Sequence, residues 1–158
     1  VEREIKKIVV HCSDSEWGDA DAIDRWHKEM GWDGIGYNFV LMNGHRVNSS
    51  PDSYDAEHDG LFQVGRPIDI IPAHVRGHNK HSIGICVIGK RFFSHGQFTA
   101  LEAFLKDLIL QYGLSVSDVV GHYELDENKT CPNMDMDDLR CRLMEGFHYD
   151  KSMKQSPN

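Results

Sequence analysis

The segment Ser82-Ile83-Gly84-Ile85-Cys86-Val87-Ile88-Gly89 shows no alternation of polar and apolar side chains. A strand of this kind is covered on both faces, so it belongs in the middle of a sheet with helices on either side. Ile5 to Val10 supplies a second, β-branched run and delivers His11-Cys12-Ser13 at its C-terminal end. Between and after these runs the pattern turns helical, and the alternation of strand and helix predicts an α/β domain.

Asp19 to Met30 reads as a helix, with acidic residues in the first turn, Ile23, Trp26 and Met30 on one stripe, and Gly31 as the stop. On that helix Trp26 is expected in the core and His27 at the surface. Tyr37 to Met42 reads as a strand, and Asn43-Gly44 as a hairpin turn, since both residues tolerate positive φ. Residues 48–66, rich in Ser, Asp, Pro and Gly, read as a long surface loop. Thr99 and Glu102 spell a capping box ahead of Leu101, Phe104, Leu105, Leu108, Ile109 and Tyr112, with Gly113 ending the helix. Val116 to Gly121 is a short strand leading into His122, and Asp135 to Met144 is a last helix. The expected organisation is one domain over 1–150 followed by a flexible tail over 151–158.

Composition narrows the partners. At 158 residues, 40% apolar and 27% charged, the chain can bury a core without staples. A formal net charge of −8 repels polyanions on average, so no nucleic-acid partner is expected. No stretch approaches the roughly 20 apolar residues that span a bilayer, and no membrane partner is expected. The charged start, Val1 to Lys7, carries no apolar signal segment. The four cysteines lack the spacing of a disulfide scaffold, so reduced thiols are expected, with synthesis in the cytoplasm.

Two histidines, His11 and His122, follow strand ends, where a rigid sheet hands side chains to a solvent-facing cleft. Taken singly, each fits a hydrogen-bonded structural role at least as well as a ligand role. Cys131 lies in the polar loop after His122, next but one to Lys129, whose charge favours a thiolate; its alternative is a small buried apolar residue. Two imidazoles and a thiolate would fill three of four zinc positions and leave one open, as a catalytic site requires. His122-Tyr123-Glu124 also matches the H-x-E of zinc nucleobase deaminases. That family needs P-C-x-x-C, whereas Cys131-Pro132 reverses the order and offers no second cysteine. The residues by themselves stop at a metallohydrolase as one reading among these.

A set of ordered segments takes the reading further. These are Ile8-Val9-Val10-His11-Cys12-Ser13, Arg25-Trp26-His27-Lys28-Glu29 with Gly31-Trp32, and Gly36-Tyr37-Asn38-Phe39. They continue with Ala73-His74-Val75-Arg76-Gly77-His78-Asn79, the apolar run from Ser82 to Gly89, Gly121-His122-Tyr123-Glu124, and Lys129-Thr130-Cys131-Pro132. In this order, over roughly residues 5 to 143, the chain resembles the zinc N-acetylmuramoyl-L-alanine amidases of the peptidoglycan-recognition fold, most closely the small amidase endolysins of T7-like phages. The resemblance implies a mixed central β-sheet flanked by helices. It implies hydrolysis of the amide between N-acetylmuramic acid and L-alanine in bacterial peptidoglycan, for host lysis by a monomer that acts on the wall after release from the host cytoplasm.

By the same resemblance His11, His122 and Cys131 are ligands of a Zn2+ ion, and Tyr37 and Lys129 are the other catalytic residues. Tyr37 would orient or help deprotonate the attacking water, and Lys129 would stabilise the oxyanion. His74 and Asn79 match a segment that lines the cleft and are candidates for substrate contact, with simple loop hydrogen bonding as the equal alternative. The chain departs from the pattern at Asn38, where a His is common, at Asn133, and in the longer 48–66 segment. Two other functions stay open on the residues: a peptidoglycan-binding module, against which Cys131 argues, and a thiol or redox protein using Cys12 or Cys131.

Overall fold

Strand β1 (Lys7–Cys12) pairs in parallel with β4 (Ser82–Val87) on one side and with β5 (Val119–Gly121) on the other. β2 (Phe39–His45) extends the sheet in parallel beyond β4, and β3 (Tyr54–Val64) closes that edge antiparallel to β2. The order β3-β2-β4-β1-β5 makes a mixed five-stranded sheet, as expected. The computed structural model describes the backbone of residues 2–154 and the side chains of 2–148.

β1 and β4 are apolar on both faces because both faces are covered. Ile8, Val10, Ile83, Ile85 and Val87 face helix α2 (His95–Tyr112) and helix α3 (Met136–Lys154), whose Leu101, Leu105, Met136, Leu139 and Leu143 complete the main core. Each such side chain, removed from water, contributes about 1.5–3 kcal/mol before entropy is counted. On the other face Val40, Cys86 and Ile88 meet Ile23 of helix α1 (Ala20–Glu29). Alternation along β1 puts His11 on this second, thinner face. The sheet therefore has one face devoted to stability and one partly left for a site.

Several local expectations need correction. Residues 48–66 are not a surface loop: a short 3-10 turn over Pro51–Ser53 leads into β3. Asn43-Gly44 does not turn the chain but lies within β2, at register irregularities against β3. Gly44 has φ +91°, and a Cβ there would come within 2.5 Å of the Tyr54 ring, so this glycine admits a close neighbour. Helix α2 starts one turn earlier than Thr99. Its capping box is Ser94 with Gln97, and Gln97 is buried because its amide donates to the Ile88 carbonyl at 2.8 Å.

The strand expected from Val116 begins only at Val119, after a 3-10 turn over Val116–Asp118. Helix α3 runs past Met144 to Lys154, since Leu143 and Phe147 keep docking on the core. The boundary expected at 150/151 thus falls inside α3, and residues 155–158 of the expected tail lie outside the described residues. No helix among the described residues is long and apolar enough to cross a membrane.

Candidate metal centre

His11 is the penultimate residue of β1 and is 1% exposed. His122 opens a 3-10 turn (His122–Glu124) directly after β5, the strand beside β1. Cys131 returns to the same place on the following loop. The Tyr123 amide donates to the Cys131 carbonyl at 2.9 Å, and the Cys12 amide donates to Cys131 Sγ at 3.1 Å. One ligand atom from each of His11, His122 and Cys131 lies within 4.8 Å of the others, and the two imidazole rings are 4.7 Å apart.

The environment keeps the imidazoles in the neutral form a metal requires. Burial pushes His11 well below its ordinary value of 6.5, with further lowering by His74 and His122. His122 is lowered by burial and then by the Lys129 charge. The cysteine behaves otherwise than expected. Contact with the Cys12 thiol, followed by burial, holds Cys131 well above its ordinary range, while the same contact lowers Cys12. On its own the protein thus favours the neutral Cys131 thiol, and a cation held beside it would favour the thiolate. Two imidazoles and one sulfur, with no carboxylate among them, form a donor set that suits zinc and leaves a fourth position open.

Tyr37 and Lys129 border the same space. The Tyr37 ring is 5.0 Å from the His11 ring, and burial raises its phenol well above the ordinary value of 10.0, so it remains protonated. Tyr37, His122, Lys129, Cys131, Asp14 and Asn133 are among the walls of a cleft of about 360 Å³. The structure thus brings four of the expected site residues to the walls of one cleft, with His11 buried directly behind Tyr37 and His122.

Of the two candidates for substrate contact, His74 is buried with both ring nitrogens engaged, and the half-buried Asn79 is engaged through its side-chain oxygen. His74 Nδ1 is 2.7 Å from His11 Nε2, and its Nε2 is 2.9 Å from Ser82 Oγ. Asn79 Oδ1 accepts from the amides of His74 and Val75, both at 2.9 Å, which fixes the bend of their loop. Asn38 is wholly buried, accepting from the Gly84 amide at 3.0 Å and donating to the Arg66 carbonyl at 3.2 Å, so it stitches β2 to β4.

His27 is a further correction. It is buried, and its Nδ1 accepts from the Gly36 amide at 2.9 Å, with its ring 4.5 Å from Trp32 and 5.5 Å from Tyr37. Trp26 is only partly buried, packed on the smaller core. Glu124, which the sequence offered only as part of an H-x-E motif, has a different role: its carboxylate accepts from the Gly121 amide at 2.9 Å and pins the turn that carries His122. Its signal was the three-residue spacing from Gly121, the geometry of a capping interaction.

Comparison with known proteins adds to this geometry. The sequence profile of the N-acetylmuramoyl-L-alanine amidase family matches residues 1–134. The endolysin of Klebsiella phage KP32 is 30% identical over 146 residues, covering 85% of this chain and 84% of that protein. The endolysin of Escherichia phage T7 is 30% identical over 140 residues, covering 82% and 81%. Among solved structures, the N-acetylmuramoyl-L-alanine amidase LysC from Clostridium intestinale URNW superposes with a TM-score of 0.73 at 25% identity, covering 89% of this chain and 86% of that one. Drosophila PGRP-LB shares the fold, with a TM-score of 0.64 at 19% identity.

Proposed function

The chain belongs to the N-acetylmuramoyl-L-alanine amidase family, and from that premise we propose that it cleaves peptidoglycan with a zinc ion held by His11, His122 and Cys131. The bond cut is the amide between the lactyl group of N-acetylmuramic acid and the L-alanine of the stem peptide. The observation that carries the metal assignment is the convergence of three donor atoms within 4.8 Å, from the ends of two adjacent strands and the loop that follows the second.

A bound zinc supplies Lewis acidity to the scissile carbonyl and to the attacking water. The chain's own residues do the rest. The half-buried Tyr37 phenol keeps its proton and acts as a hydrogen-bonding group that orients water beside His11, rather than as a base. Lys129, in the cleft wall two residues from Cys131, presents an ammonium to the oxyanion that develops on the scissile carbonyl. Neutral His11 and His122 hold the metal without adding charge, so a single thiolate leaves the centre positive.

The endolysin relatives support a role in host lysis, with synthesis in the host cytoplasm and action on the wall after release. The protein works as a monomer, without nucleic-acid or membrane partners. At a net charge of −8 its affinity for the wall comes from the cleft rather than from bulk attraction.

Zinc content of purified variants tests the assignment. The unsubstituted chain and Lys129→Ala each carry one zinc per chain, while His122→Ala and Cys131→Ser carry none. A Lys129→Ala protein without zinc, or a Cys131→Ser protein that retains it, overturns the division between ligands and oxyanion donor.

A further inference from the structure

We propose that His74 and Ser82 form a neutral relay that holds His11 in the one tautomer able to bind metal through Nδ1. The inference rests on the metal site argued above and assigns His74 a positioning role in place of substrate contact.

His11 has two ring nitrogens, and His74 occupies one of them. With His11 Nε2 and His74 Nδ1 2.7 Å apart, one nitrogen must carry the proton and the other the lone pair. Only His11 Nδ1 is left to meet a cation, and a ligand nitrogen cannot be protonated. The proton therefore sits on His11 Nε2 and is donated to His74 Nδ1. His74 in turn has its proton on Nε2, where it donates to Ser82 Oγ at 2.9 Å. Every step in this chain is decided by the first.

The relay is built into the sheet. Ser82 and Gly84 are consecutive same-face residues of β4, and both are fully buried. A Cβ at Gly84 would lie 2.8 Å from His74 Cγ, so the glycine leaves bare backbone for the imidazole to rest on. Asn79 fixes the backbone of His74 from behind, and the Ser82 carbonyl accepts from the Arg3 guanidinium at 2.6 Å. His74 is 9% exposed and both its nitrogens are engaged, which leaves it nothing to offer a sugar or a peptide.

The chemistry of the relay differs from a histidine ligand backed by a carboxylate. A carboxylate would pull the Nε2 proton and make the ligand more anionic. Here the chain ends on a hydroxyl, so His11 is oriented without gaining negative character. That preserves the positive metal centre on which polarisation of the carbonyl depends.

The test uses the full chain and three variants. His74→Asn keeps an acceptor where Nδ1 stood, His74→Leu fills the space without one, and Ser82→Ala removes the end of the relay. Zinc affinity is read by competition with a chelator, folding by thermal melting, and the His11 tautomer by nitrogen-15 NMR of the ring before zinc is added. His74→Leu weakens zinc binding about 10–100-fold. His74→Asn recovers most of that loss, and the NMR places the His11 proton on Nε2. His74→Leu binding zinc as tightly as the unsubstituted chain overturns the relay. If His74→Leu does not fold, Ser82→Ala and the NMR of the unsubstituted chain decide the question. A His11 proton on Nδ1 with zinc uptake intact overturns only the relay, whereas no zinc uptake by the unsubstituted chain overturns the metal centre itself.

Discussion

Arg140 of α3 clasps the carboxylate of Glu124 through two hydrogen bonds of 2.8 and 2.9 Å. The same guanidinium donates to the Val119 carbonyl at 2.9 Å, and Glu124 receives the Gly121 amide. A single ion pair thus ties the last helix to both ends of β5 and fixes the turn on which His122 is presented. Glu124→Ala removes the charge-assisted hydrogen bonds to Arg140 and leaves that half-buried guanidinium with Asp137 and the Val119 carbonyl, a loss of about 1.5–3 kcal/mol. Urea denaturation should show that loss, together with weaker zinc binding, because His122 is no longer held in place. Unchanged zinc affinity in Glu124→Ala would confine the pair to a stabilising role.

Tyr37→Phe and Lys129→Ala should separate chemistry from metal binding. Each removes a polar group from the cleft and leaves all three donor atoms in place. Loss of a group that acts on the developing oxyanion costs about 2.7–4 kcal/mol of barrier, or 10²–10³ in kcat. That range applies to Lys129→Ala; Tyr37→Phe should lower kcat with little change in zinc content. A variant whose loss appears only in KM has lost a binding contact instead.

The buried histidines predict acid sensitivity. Burial, and then the His122 charge, push His74 down to about 3 from its ordinary 6.5, and His11 moves in the same direction. Between those two values the unfolded chain binds the proton and the folded chain does not, so stability falls as pH drops below about 6.5. The slope approaches about 1.4 kcal/mol per pH unit for each such imidazole. Urea midpoints at pH 7 and pH 5 measure it. A midpoint that holds or rises at pH 5 would contradict a neutral histidine cluster.

Stability and site should respond separately on the two faces of the sheet. Leu105 is fully buried between α2 and the sheet, on the face away from His11. Leu105→Ala should cost about 2–5 kcal/mol. Zinc affinity of the folded variant, measured well below its melting temperature, should stay close to that of the unsubstituted chain.

What could be read from the sequence follows from how local each determinant is. The runs through Ile8 and Ile85 announced central strands because burial on both faces leaves an unbroken apolar record. His11 and His122 were readable because each follows such a run. β3 was not, since an edge strand with exposed and half-buried residues keeps Asp59, Gly60 and Gln63, which spell a loop. The true cap of α2 was hidden by Gly96, a poor helix former in the first turn, although Ser94 and Gln97 have the spacing of a capping box. His27 and His74 escaped for a different reason. Their partners, the Gly36 amide and the His11 ring, come from elsewhere in the chain and are set only by tertiary packing.

The most direct test is the product of digestion. Purified peptidoglycan is treated with the unsubstituted protein and with Cys131→Ser, and new L-alanine amino termini and new reducing sugar ends are counted in each soluble fraction. The account predicts that the unsubstituted protein releases L-alanine amino termini and no reducing ends, and that Cys131→Ser releases neither. Reducing ends from the unsubstituted protein, or cleavage by Cys131→Ser at the unsubstituted rate, would contradict it.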